Sequence, residues 1–352
     1  MKSNSLSAPM HREIYSIELL RGLASAMVCF FHLSNGNPDF LGSGSVTKTI
    51  GRHGWAGVEI FFVISGFVIP YAMYVKGYQM RSFWIFLKKR IIRIEPPYLV
   101  SIILVLILGY VSTLSPYYKG QPFNIDWLNL IGHIGYLNTF TNEPWLNPVY
   151  WSLAIEFQYY ILIALAYRLI VSPLLLHRAS FFLLFAGLSF LPGLSNGVIF
   201  FYAPYFIGGI LLFQRFCNIT DAREFLVLSA INSILLWYQQ GWGLMLLVAL
   251  ALLTIAYVKK VPAIFKGLGL ISYSLYLIHV PIGGRIINIS ATLISSPIVR
   301  ECIVIIAFAI CIFSSWLFYK FIEKRFKRMS SNIRYDSLKE SGTLVSLKVE
   351  SR

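Results

Sequence analysis

Two ionisable residues stand inside a stretch that is apolar enough to cross a membrane. The segment from Glu18 to Asn35, ELLRGLASAMVCFFHLSN, carries Arg21 and His32, eleven positions apart. At 100° per residue, eleven steps make three turns plus roughly 20°, so both side chains share one helical face. A rise of 1.5 Å per residue separates them by ~16 Å, about half the hydrocarbon thickness of a bilayer. Ionisable groups at that depth are costly and usually face a protein interior or a wet cavity. The helix reads as a polar rail from one side of the membrane toward the other, with an imidazole available as a base at its far end.

Four further clusters carry chemistry. GVEIFFVISGF puts Glu59 at the start of a second span, at the depth expected for His32. There a carboxylate can fix the imidazole's tautomer and stabilise the imidazolium, or it can simply be solvated at the rim. Ser65-Gly66, one to two turns on, favours the first reading by permitting close helix approach. In FWIFLKKRIIRIEPPY, Arg90 and Arg93 share a face of a short interfacial helix expected to stop at Pro96-Pro97. Two guanidiniums so spaced suit a phosphate, although positive-inside topology predicts the same residues. NPVYWSLAIEFQYY sets Ser152 and Glu156 four apart on one face, with Tyr159 and Tyr160 a turn deeper, and a carboxylate inside the apolar region argues for a site. SYSLYLIHVP aligns Ser272, Tyr276 and His279 in one stripe, although a lone histidine on an apolar face is more often structural. Together His32, Glu59, Glu156, Tyr276 and His279, from four spans, are expected at one depth, with cations toward the other side.

Long apolar helices must position these groups. The chain is 57% hydrophobic and 13% charged, with mean hydropathy +0.67, outside the range of most soluble domains. The fold class expected is all-α: a polytopic membrane helix bundle of about ten transmembrane helices, near 15–34, 57–75, 97–114, 148–170, 179–196, 198–215, 225–239, 242–258, 267–284 and 299–321. With the amino terminus inside, 24 of the 30 basic residues fall on the cytoplasmic side and five on the other, with Arg21 within the first span. That asymmetry predicts both termini in the cytoplasm and explains the net charge of +15 without invoking nucleic acid.

A membrane-embedded domain is expected over 1–328, followed by a polar, disordered tail over 329–352. The segment 115–147 reads as an external loop or re-entrant piece. The polar start, MKSNSLSAPMHREIY, has no cleavage site after it and argues against a removed signal peptide. Cys29, Cys217, Cys302 and Cys311 lack metal-ligand spacing and read as small buried residues, with no metal site implied. His11, His53, His133 and His177 are assigned no chemistry.

Five blocks in register, the Arg-x10-His of the first span, GVEIFFVISGF, the RIIR before EPPY, YWSLAIEFQYY and SYSLYLIHVP, resemble the acyltransferase-3 family of integral-membrane acyltransferases over roughly 14–325. The resemblance implies transfer of an acyl group, most often acetyl, from a cytoplasmic acyl-coenzyme A to a hydroxyl of a cell-envelope or exported polysaccharide or glycolipid. It implies a multi-pass protein of the bacterial inner membrane whose partners are the glycan acceptor, acyl-coenzyme A and membrane lipid. His32 would be the essential histidine and Arg21 its motif partner, while Arg90 and Arg93 would help to hold the donor. Some members carry a fused extracytoplasmic esterase-like domain, which this chain is not expected to include. Acceptors such as a macrolide, and a different class such as a glycolipid transporter or a non-catalytic assembly subunit, remain open to the sequence. Inverted repeats, which a transporter would favour, are not evident.

Overall fold

The computed structural model describes residues 14–118, 120–141, 143–192 and 196–335, and among these it is helical with no strand. Helix α1 (Tyr15–Asn35) leads through a short helix, Val46–Gly51, and a tight turn, Gly54–Ala56, into α2 (Gly57–Val75). Then follow α3 (Phe83–Thr113), α4 (Trp151–Ile170), α5 (Leu175–Leu188) and α6 (Ala203–Phe216). After them come α7 (Ala222–Gln240), α8 (Trp242–Tyr257), α9 (Ala263–His279), α10 (Arg285–Leu293), α11 (Pro297–Phe318) and α12 (Lys324–Asn332).

Seven segments among the described residues are long and apolar enough to cross a membrane: Tyr15–Asn35, Val46–Val75, Met80–Thr113, Trp151–Ile170, Ile199–Phe216, Ala263–Leu293 and Pro297–Asn332. The other three expected spans are also helices but fall short of that measure. α5 and α8 have only 14 and 16 residues, and α7 is interrupted by polar side chains such as Glu224 and Asn232.

Burial sorts the helices into core and rim. Of the most apolar window of Ile199–Phe216, 78% is buried, against 22% for Met80–Thr113. α6 is therefore central, and α3 turns Ile103, Ile107 and Val111 outward, as a lipid-facing helix must. Cys302 likewise sits on an outward face with Ile298 and Ile305, so the expectation that all four cysteines are buried fails there. Cys29 and Cys311 are buried and Cys217 is half-buried.

Two backbone crossings set the geometry of the site. α1 and α9 run parallel and touch at Gly22 and Gly269, where a β-carbon on Gly269 would overlap the Glu18 carbonyl oxygen. α2 crosses α6 at Gly66 and Gly209, and a β-carbon on Gly209 would overlap the Val63 carbonyl oxygen. Apolar driving force between helices is weak in lipid, so close backbone approach through small residues does the holding. Gly209→Leu is expected to force this crossing apart at a cost of at least about 1–3 kcal/mol. Thermal unfolding in detergent checks it: the midpoint should fall, and an unchanged midpoint would contradict the crossing.

One local feature differs from the sequence reading, and two others were not read from it. Instead of stopping at Pro96-Pro97, α3 runs 31 residues through both prolines. Each proline frees the carbonyl four residues back, those of Ile92 and Arg93, a loss that membrane helices tolerate where neighbours supply other partners. Tyr273 Oη of α9 donates to the adjacent Ile94 carbonyl at 2.9 Å and ties the two helices at this point. Wide, π-type turns follow α9 at Val280–Gly284 and α11 at Tyr319–Glu323. The loop 115–147 contains short helices, Trp127–Gly132 and Asn138–Thr141.

α12 continues into the expected tail, and Lys89 Nζ donates to the Ser330 and Ile333 carbonyls. The remainder of that tail, from 336, and the amino-terminal residues 1–13 lie outside the described residues.

Candidate active site

A cavity of about 900 Å³, its open mouth included, lies between α1, α2, α3, α4 and α9. Arg21, Arg90 and Arg93 line it, together with Glu156, Tyr160, Ser152, Tyr276 and Glu323. Arg21 arrives on α1 from the end that carries most of the basic residues. Its Nε donates to Ser272 Oγ at 3.2 Å, and its two Nη groups have no hydrogen bond to a described residue. Arg90 is held by faces rather than by hydrogen bonds: its guanidinium lies 5.2 Å from the Phe86 ring centre and 5.3 Å from that of Tyr160. Among the described residues the one ion pair is Arg178–Glu224, which includes none of the three cavity guanidiniums, so none of them is directly neutralised.

Two carboxylates share the cavity and are occupied by neutral donors. Glu156 Oε1 accepts from Tyr160 Oη at 2.6 Å and from Ser65 Oγ at 3.2 Å. Glu323 Oε2 accepts from Ser274 Oγ at 2.6 Å and from the Ser274 amide at 3.2 Å. Outside the spans, the positive field is felt at Lys76, whose ammonium is pushed below its ordinary pKa by burial first and then by the charges of Arg90 and Arg93. Half-buried guanidiniums with spare donors and neighbouring cations suit an anion.

Away from the guanidiniums the lining becomes hydroxylic. Ser152 Oγ and Tyr276 Oη are 2.5 Å apart, and Tyr276 also donates to the Val149 carbonyl at 3.1 Å. The Tyr276 ring centre lies 6.1 Å from that of His279, which in turn lies 5.1 Å from that of His32. His32 Nδ1 is 2.9 Å from the Val28 carbonyl oxygen and 3.2 Å from His279 Nε2, and His279 Nδ1 is 2.7 Å from the Leu275 carbonyl oxygen. His279 is fully buried, whereas His32 is half-buried.

The eight residues singled out in the sequence therefore divide. Arg21, Arg90, Arg93, Glu156 and Tyr276 line one cavity, and His32 and His279 pair beside its hydroxylic part. Glu59 stands apart. The Val46–Ala56 segment carries the chain inward before α2 begins, so Gly57 packs at Ala24 and Val28 of α1 and not beside His32. Glu59 lies near Tyr202, Tyr205 and Tyr276, and its Oε2 is buried without a hydrogen bond.

The expectation that Glu59 orients His32 is corrected accordingly, since the imidazole's partners are a backbone carbonyl and a second histidine. Ser65 appeared in the sequence only as a packing residue, yet it bonds Glu156. Glu323 was missed altogether, and its one signal was a lone carboxylate within the basic flank YKFIEKRFKR. His133, to which no chemistry was assigned, is held by backbone groups on both ring nitrogens. Its Nδ1 faces the Asn129 carbonyl at 2.9 Å, its Nε2 accepts from the Leu146 amide at 3.0 Å, and burial holds its pKa below the ordinary histidine value. No cluster of His, Cys, Asp and Glu among the described residues could hold a metal ion.

A family model described as "Acyltransferase domain" matches residues 14–320. The O-acetyltransferase OatA of Staphylococcus aureus, in strains NCTC 8325 / PS 47, COL and MRSA252, is 28% identical over 179 residues, 47% of this chain and 26% of the relative. The chain thus aligns with about a quarter of the length of those curated relatives. No solved structure matches it.

Proposed function

We propose, from the premise that this chain belongs to the acyltransferase-3 family, that it transfers an acyl group, acetyl first among candidates, from acyl-coenzyme A to a hydroxyl of a cell-envelope or exported glycan. The donor would come from the side where the basic residues gather, taken as cytoplasmic, and the acceptor from the other side of a bacterial inner membrane, with both termini cytoplasmic. One observation carries this reading: three guanidiniums without ion-pair partners line a single cavity that also reaches the Ser152–Tyr276 hydroxyls beside two imidazoles. The phosphates of coenzyme A would meet Arg90, Arg93 and Arg21, which supply planar paired donors. Its acyl arm would extend along α1 toward His32, about half a bilayer away.

At that end His32 would accept the proton of the attacking hydroxyl. Tyr276 Oη or Ser152 Oγ would donate to the carbonyl oxygen as negative charge develops there. The name of the Staphylococcus relatives, O-acetyltransferase, supports acetyl and an oxygen acceptor. Mass spectrometry of envelope glycans from cells with and without the gene tests the reading. Ester-linked acyl groups should be lost from one glycan in its absence, and an unchanged acylation pattern would overturn the proposal.

A further inference from the structure

The proton inventory of the two histidines can be worked out from their acceptors alone. A carbonyl oxygen only accepts, so His279 Nδ1, 2.7 Å from the Leu275 carbonyl, must carry a hydrogen. His279 is fully buried and no carboxylate bonds it among the described residues, so nothing supports a second proton, and its Nε2 keeps a lone pair. His32 Nδ1 faces that lone pair at 3.2 Å and the Val28 carbonyl at 2.9 Å. Both are acceptors, so His32 Nδ1 carries the hydrogen and shares it between them. The remaining nitrogen, His32 Nε2, has no hydrogen bond to any described residue, and its ring is only half-buried.

We propose that His279 is a positioning residue that locks His32 in the Nδ1–H tautomer, so that the open Nε2 of His32 is the base in the acyl transfer proposed above, on which this role rests. The acceptor O–H proton passes to His32 Nε2 while the hydroxyl oxygen bonds to the acyl carbon. The C–S bond then breaks with its electron pair on sulfur, and the thiolate takes the proton back from Nε2, leaving an ester and a free thiol. While His32 is an imidazolium, its Nδ1–H points at the lone pair of a neutral imidazole. That arrangement does the work more often given to a carboxylate, without burying a second charge in the bundle. The parallel run of α1 and α9, fixed at Gly22 and Gly269, brings the two rings together.

The proton assignment and the catalytic role are read by separate experiments. Protein labelled with 15N-histidine, in bilayers at neutral pH, is studied by solid-state NMR, with His32→Gln used to assign the His32 signals. The expected result is a protonated Nδ1 and a bare Nε2 in both rings, with a correlation across the His32 Nδ1–H to His279 Nε2 bond. A proton on His32 Nε2, or no correlation between the rings, overturns the proposal whatever the protein catalyses.

For the role, thiol release from acetyl-coenzyme A is followed in the presence of envelope glycan extract. His279→Leu should lower kcat about 10- to 100-fold, part of the usual yield of a positioned base, and leave the KM for acetyl-coenzyme A unchanged. His279→Gln, whose side-chain oxygen can accept from His32 Nδ1–H, should recover most of that loss. Unchanged kcat in His279→Leu, or no recovery in His279→Gln, overturns the positioning role. If wild-type protein releases no thiol at all, the proposed function fails instead, and the NMR result stands by itself.

Discussion

His32→Ala is expected to reduce acyl transfer by at least about 10²- to 10⁴-fold, the usual contribution of a positioned general base. The protein should still fold, because His32 is only half-buried and its bonds are to Val28 of its own helix and to His279. Donor binding should survive, because Arg21, Arg90 and Arg93 line the cavity and His32 does not. Thiol release from acetyl-coenzyme A, with glycan acceptor present, measures the first point, and equilibrium binding of the donor measures the second. A His32→Ala protein that binds donor normally and transfers nothing is the expected outcome. Normal transfer would remove the imidazole from the mechanism.

The second large effect is expected at the guanidiniums. A hydrogen bond to a charged group contributes about 1.5–3 kcal/mol, so loss of either Arg90 or Arg93 should weaken donor binding about 10- to 100-fold. The Arg90→Ala, Arg93→Ala double variant should fall short of the summed effect, because residues that share one ligand do not contribute additively. Arg90 also packs over Phe86 and Tyr160, so Arg90→Lys, which keeps the charge but loses the planar fork, should recover only part of the affinity. These variants should raise the KM for acetyl-coenzyme A and leave kcat at saturating donor little changed. A fall in kcat alone, with KM unchanged, would move the donor phosphates elsewhere.

Much of this arrangement was legible in the residues because helical periodicity is a local property. The spacing of Arg21 and His32 placed them on one face, and both meet α9, at Ser272 and His279. The i, i+4, i+7 stripe of Ser272, Tyr276 and His279 likewise faces α1 and α4. What the sequence could not supply was the relative height of different helices. Glu59 looked level with His32 because the second span appeared to begin at 57. The Val46–Gly51 helix and the turn after it carry no strong apolar pattern, yet they take the chain deep before Glu59 is reached.

Partner choice across helices was also hidden. Only the parallel packing of α1 and α9, which depends on two glycines 247 positions apart, makes a second histidine rather than a carboxylate the neighbour of His32. Pro96-Pro97 misled in the opposite direction, since rules drawn from water-exposed helices predict a stop where a membrane helix can continue. Glu323 was masked by its basic neighbours, and the π-type turn at Tyr319–Glu323 is where the structure sets it into the cavity lining.

The proposed transfer needs one path that joins a guanidinium-lined donor site at the basic end of the bundle to an imidazole base toward the other. The most direct measurement uses sealed proteoliposomes of fixed orientation, with acyl-labelled acetyl-coenzyme A supplied only on the side of the basic flanks and glycan acceptor confined to the other. Ester-linked label should appear on the separated glycan with wild-type protein and be absent with His32→Ala. Transfer only when donor and acceptor share a compartment, or equal transfer by the His32→Ala protein, would contradict it.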